Sequence, residues 1–203
     1  MNDASACSRI CLVTPPTFEP AAFASLLDRA LGCADVAAVR LRMPSADPGT
    51  LARAAGALRA VTNRADVALL LDGDPATALR LGCDGAHVPA AGAAAARGTL
   101  GTSGSVGAAC GWSRDTAMRA AEAGADYVAF GPASQAGPEG RDIVADWTLA
   151  MVVPCVVGGD LDEESAAEWA TTGAEFLALG RAVWQAPQGP EAMLRALARR
   201  LKP

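Results

Sequence analysis

A chain of 203 residues with a hydrophobic fraction of 51% suits one domain with a substantial core, and aromatics at 4% make that core one of small aliphatic side chains. The net charge of −5 and the lack of an aromatic platform argue against nucleic-acid partners, which need a basic surface or stacking faces. One lysine, Lys202, lies at the C-terminal end and rules out Schiff-base chemistry inside the fold, while one histidine, His87, rules out a His-rich metal site.

In chain order, residues 9–14 read as a first strand closed by Pro15 and Pro16, and residues 20–31 as a helix stopped by Gly32. Residues 36–42 form a second strand, and Asp47-Pro48 opens a helix to about residue 61, with proline at an early helical position. Residues 67–72 are a third strand, 75–81 a short helix, 85–88 a fourth strand, 91–97 a small Ala-rich helix and 99–103 a fifth strand. Ser113 caps a helix to Ala123, a sixth strand covers 127–130, and residues 142–150 are helical.

The seventh strand, within 154–160, ends in Gly158-Gly159, where two side chains are absent just where the backbone would approach an anion. A helix follows from Asp162 to near Thr172, then an eighth strand over 176–179 with Gly180 and Arg181 at its end, and a last helix from Gln188 or Glu191 to Leu201.

Eight strand-helix alternations predict an α/β fold, a (β/α)8 TIM barrel in one compact domain over 1–203, with brief loops because such barrels usually take about 250 residues. A repeat supports the count. Gly32-Cys33-Ala34-Asp35, Gly82-Cys83-Asp84, Gly124-Ala125-Asp126 and Gly173-Ala174-Glu175 each end a helix and feed an even-numbered strand. Asp84, Asp126 and Glu175 then lie at the N-terminal end of the barrel and serve structure. An open doubly wound sheet, the rival architecture, does not repeat that junction so evenly. Six cysteines without a CxxC pair read as reduced thiols in the fold. The N-terminal stretch has no basic region followed by an apolar run, so the expectation is a soluble, cytoplasmic protein with no membrane partner.

Barrel chemistry sits at the C-terminal strand ends. There, Arg40 and Arg42 share one face of strand two, with Val39 and Leu41 on the other. Asp72-Gly73-Asp74 ends strand three, and either Asp72 forms an internal ion pair with Arg42 or Asp72 or Asp74 is a metal ligand beside an anion site. His87 ends strand four. Ser103, in Thr102-Ser103-Gly104-Ser105, ends the fifth strand as placed above, with hydroxyls that can donate to a phosphate. Gly158, Gly159, Asp160, Gly180 and Arg181 make a phosphate site after strands seven and eight. In it the amides of residues 159, 160, 180 and 181 converge on one anion, Asp160 turns away to cap the next helix at Glu163, and Arg181 reaches inward.

Gly82–Val88 (GCDGAHV), Gly124–Pro132 (GADYVAFGP), Pro154–Asp160 (PCVVGGD) and Gly173–Val183 (GAEFLALGRAV) together resemble thiamine-phosphate synthase and its thiazole-tautomerase relatives, across most of the chain. The resemblance implies joining of a pyrimidine, carried as its diphosphate, to a thiazole phosphate, with magnesium (Mg2+) on the diphosphate. Family positions map unevenly. Gln-x-Arg-x-Lys falls on Arg40 to Pro44, keeping only Arg42; Asn-Asp-Arg falls on Asp72-Gly73-Asp74, with glycine at the metal position; His-Leu-Gly-Gln-x-Asp falls on residues 87–92, keeping only His87. Gly-x-Ser-x-His falls on residues 101–105, keeping Ser103, and after Gly131-Pro132 only Arg141 supplies positive charge. The implied roles are Arg40, Arg42 and Ser103 as catalytic groups on the diphosphate, Asp72 and Asp74 on Mg2+, and a phosphorylated small molecule as the partner. Two alternatives stay open, a thiazole-phosphate tautomerase and a non-catalytic binder of a thiazole or thiamine phosphate, as does a homo-oligomer.

Overall fold

The computed structural model describes residues 8–201, so Cys7 and Lys202 lie outside the described residues. Eight parallel strands pair in sequence order and close on themselves: β1 (Arg9–Val13), β2 (Val36–Leu41), β3 (Ala68–Asp72), β4 (Gly85–Pro89), β5 (Ser105–Gly111), β6 (Tyr127–Phe130), β7 (Cys155–Gly158) and β8 (Phe176–Leu179). Around them lie α1 (Pro20–Leu31), α2 (Pro48–Ala65), α3 (Pro75–Leu81), α4 (Ala93–Leu100), α5 (Arg114–Glu122), α6 (Gly140–Ala150), α7 (Glu163–Ala170), α8 (Arg181–Trp184) and α9 (Pro190–Arg200). The expected (β/α)8 barrel is the fold.

Local chemistry sets the helix starts. Side chains of Glu19, Asp47, Asp74, Ser113 and Asp162 accept the free N–H groups of α1, α2, α3, α5 and α7, and Asp162 with Ser165 forms a reciprocal capping box. The outward strand face carries the large side chains, among them Leu12, Leu41, Leu69, Phe130, Leu177 and Leu179, all buried against the helices. The inward face is built from small residues. Register pairs Cys11 with Ala38, Ala38 with Ala68, His87 with Gly107, Ala109 with Ala129 and Gly158 with Ala178. Among these stand larger inward side chains, including Leu70, Tyr127 and Phe176; Tyr127 fits because Gly107 faces it, where a Cβ would stand 2.0 Å from the ring.

The repeated acidic junction has a structural role. Asp84 accepts the Leu69 N–H at 2.7 Å, Asp126 the Val106 N–H at 2.7 Å and Glu175 the Cys155 N–H at 2.9 Å. The lead-in of each of these even strands thus ties down the start of the preceding odd strand; at the first junction Asp35 instead pairs with Arg9 of β1. The five described cysteines are free thiols, and burial pushes those of Cys11, Cys83, Cys110 and Cys155 up. Among the described residues no helix is long and apolar enough to cross a membrane.

One strand is misplaced by the sequence reading. Thr99 and Leu100 finish α4, with the Thr99 hydroxyl donating to the Ala95 carbonyl and Leu100 buried on the helix's inner side. Gly101, at φ 65°, ends that helix, and β5 begins only at Ser105, in register with Gly85 at the start of β4. The true strand, SVGAACG, is rich in Gly and Ala and carries little β-propensity of its own, so tertiary pairing decides it.

Candidate active site

The C-terminal mouth of the barrel holds a cavity of ≈ 370 Å³. Arg40, Arg42, Asp72 and His87 line one side, Gly131, Pro132, Gly158 and Gly159 the other, with Ala109, Ala129 and Ala178 between. The small inward residues of β5, β6 and β8 are what leave this space open.

Strand parity aims Arg40 into the mouth beside Asp72. Its Nε lies 3.4 Å from Asp72 Oδ2, and the same oxygen is 3.6 Å from Arg42 Nε. Arg42 follows β2 directly, its backbone N–H held by the Thr14 hydroxyl at 3.0 Å. The Arg40 contact is ionic but not hydrogen-bonded: Nε of Arg40 is buried and has no hydrogen-bond partner. Two guanidiniums against one carboxylate leave this wall with one net positive charge and free N–H donors, a pairing suited to an anionic ligand.

His87 is buried on the adjacent strand, its Nδ1 2.9 Å from the Tyr127 hydroxyl and its ring stacked 5.7 Å from the Tyr127 ring. Burial, with the Arg40 charge adding, pushes the imidazole down to about 3, and burial pushes the Tyr127 phenol well up. Both groups are therefore neutral near pH 7. In the tautomer in which the phenol donates to Nδ1, the imidazole carries its proton on Nε2 and offers it as a donor; in either tautomer it is a weak general base. Tyr127 was not singled out by the sequence reading; its alternation with Ala129 on β6 is the signal that points it inward.

Several expected site residues lie elsewhere. Ser103 is in the turn between α4 and β5, at the N-terminal end of the barrel and outside the cavity. The strand end that carries Gly-x-Ser-x-His in the resemblance is here Gly107-Ala108-Ala109-Cys110-Gly111, so alanine stands at the serine position and glycine at the histidine position. Asp74 caps α3, accepting from the Thr77 hydroxyl at 2.7 Å and the Thr77 N–H at 2.8 Å, and these bonds hold its carboxyl below the usual range. Arg141 pairs with Glu168 at 2.7 Å and lies over the Trp169 ring, in the helix layer.

The phosphate residues divide. Gly158 and Gly159 line the cavity. Asp160, at φ 61°, receives a hydrogen bond from Ser134 at 2.9 Å instead of capping a helix; Asp162 is the cap of α7. Gly180 starts the single turn of α8, and exposed Arg181 lines an outer groove with Asp162, Glu163 and Glu164 rather than reaching inward. Gly159 has φ 78°, and a Cβ there would stand 2.8 Å from Pro132 Cβ, so the close approach of the neighbouring loop requires glycine.

The donor set does not fit Mg2+. Among the described residues no three His, Cys, Asp or Glu side chains are grouped to hold a metal. Asp72 is the one carboxylate among the described residues that lines the cavity, and two arginines face the same oxygen of it. What the mouth offers is paired cationic donors on one wall and a glycine turn on the other.

A sequence profile described as thiamine monophosphate synthase matches residues 10–183. The chain is 42% identical to a thiamine-phosphate synthase of Rhodospirillum centenum over 195 residues, covering 91% of this chain and 93% of that protein. It is 35% identical to one of Hyphomonas neptunium over 205 residues, covering 93% and 91%. In structure it is similar to a thiamine phosphate pyrophosphorylase from Pyrococcus furiosus, with a TM-score of 0.82, 20% identity, and coverage of 97% and 96%.

Proposed function

The chain belongs to the thiamine monophosphate synthase family, and on that premise we propose that it is a transferase of thiamine biosynthesis that joins a pyrimidine, delivered as its diphosphate, to a thiazole phosphate. The observation that carries the reading is the shared cavity: Arg40 and Arg42 face the Gly158-Gly159 turn across one space. In such a reaction the diphosphate departs as negative charge grows on its bridging oxygen, and preformed cationic donors stabilise that charge. Arg40 and Arg42 take this role, and His87 Nε2–H is a further donor on the same wall. The Gly158-Gly159 turn admits the thiazole phosphate to the backbone, which positions the ring nitrogen for attack.

The family resemblance implies Mg2+ on the diphosphate; no step here is assigned to it, because Asp72 faces two arginines and Asp74 caps a helix. The tautomerase alternative needs a competent general base in the cavity. A histidine held near 3 and a carboxylate shared by two arginines do not supply one.

The test is turnover with enzyme in excess over both substrates, with thiamine phosphate detected by mass spectrometry. Product formation is expected. No product at stoichiometric enzyme overturns the reading, and thiazole-phosphate binding without turnover would return a non-catalytic binder.

A further inference from the structure

We propose that the diphosphate subsite works without a metal ion, Asp72 acting as an internal counter-anion that the incoming diphosphate displaces from Arg40 and Arg42. The inference rests on the functional reading above and concerns how the charge of that ligand is met.

Asp72 Oδ2 faces both Nε atoms, at 3.4 and 3.6 Å, distances of ion pairing at which no short hydrogen bond is made and one positive charge is left over. The guanidinium forks are therefore not saturated, and Arg40 Nε is buried without a hydrogen-bond partner. A buried donor left in that state gains a full charge-assisted hydrogen bond when a phosphate oxygen arrives. A dication on Asp72 would stand beside two guanidiniums that already face this carboxylate, and their repulsion would have to be met by further anionic ligands. Among the described residues no second carboxylate lines the cavity: Gly73 has no side chain, Asp74 is held by Thr77, and Gly92 follows β4 where the resemblance has an acidic residue.

The sign of one substitution separates the two roles of Asp72. As a counter-anion it competes with the ligand, so Asp72→Asn tightens anion binding; as a metal ligand it recruits the cation, so the same change weakens it. The experiment is calorimetric titration of the full-length protein with inorganic diphosphate, in EDTA and in Mg2+, for the wild type, Asp72→Asn and, as a control, Asp74→Asn. Removing a competing charge pair at a part-buried site corresponds to about tenfold in Kd.

The expected result is wild-type binding in EDTA within about threefold of that in Mg2+, a tightening of about tenfold in Asp72→Asn, and no change in Asp74→Asn. Binding only in Mg2+, or weakened binding in Asp72→Asn, overturns the inference while leaving the diphosphate site in place. No binding by the wild type under either condition removes the diphosphate site itself and the inference with it. Should Asp72→Asn fail to fold, the wild-type comparison of EDTA with Mg2+ decides alone.

Discussion

The acid response of the fold can be worked out from one side chain. His87 is the chain's one histidine, so between pH 7 and 5.5 it dominates the difference in proton uptake between the folded and unfolded chain. Its folded pKa is pushed down to about 3 from 6.5, which means that the unfolded chain binds the proton first as pH falls. Stability is then fully present above pH 6.5 and is lost as pH drops toward 3. Integrated from pH 7 to 5.5, the loss is about 1 kcal/mol. The assay is urea unfolding followed by tryptophan fluorescence at closely spaced pH values, for the wild type and His87→Gln. The variant's absolute stability will shift, since it loses the bond to Tyr127, but its slope over this interval should be close to zero. A flat wild-type profile, or the same slope in His87→Gln, would refute the placement of a buried neutral imidazole.

Gly159→Val should lower stability by about 1–3 kcal/mol, because it puts a β-branched residue at positive φ with its Cβ against Pro132; an unchanged urea midpoint would contradict the geometry of that turn. Asp126→Ala should cost about 1–2 kcal/mol in the same measurement, since it leaves the Val106 N–H without its carboxylate and Arg97 without its ion pair, though still bonded to backbone carbonyls, while turnover of the folded fraction stays at the wild-type level. Arg40→Gln should lower kcat for thiamine phosphate formation by about a hundredfold or more, whereas Ser103→Ala, at the far end of the barrel, should leave it unchanged; the reverse pattern would move the chemistry to the wrong end.

The architecture was legible because its signals are local and repeated. Helix caps such as Asp47, Ser113 and Asp162 stand directly before their helices, and the Gly-to-acid junction recurs before every even strand. β5 escaped because Val106, Gly107, Ala108 and Ala109 have no strong strand signature, while Thr99 and Leu100 beside Gly101 imitate one. In the site, the equal parity of Arg40 and Arg42 pointed both to one wall, and the parallel register of β2 with β3 explains why Asp72 meets them. The commitments of Asp74, Arg141 and Arg181 were not legible. Asp74 is settled by Thr77 and Arg141 by Glu168, while Arg181 follows the turn of α8 out to the outer groove, and such outcomes are tertiary matters that spacing alone does not record.

The most direct measurement of the central claim is a crystal structure of the protein with inorganic diphosphate and a thiazole phosphate bound together. The diphosphate should contact the Arg40 and Arg42 guanidiniums, with Asp72 moved off them, and the thiazole phosphate should lie against the Gly158-Gly159 backbone in the same cavity. Diphosphate bound away from both arginines, or the thiazole phosphate held in the outer groove beside Arg181, would contradict it.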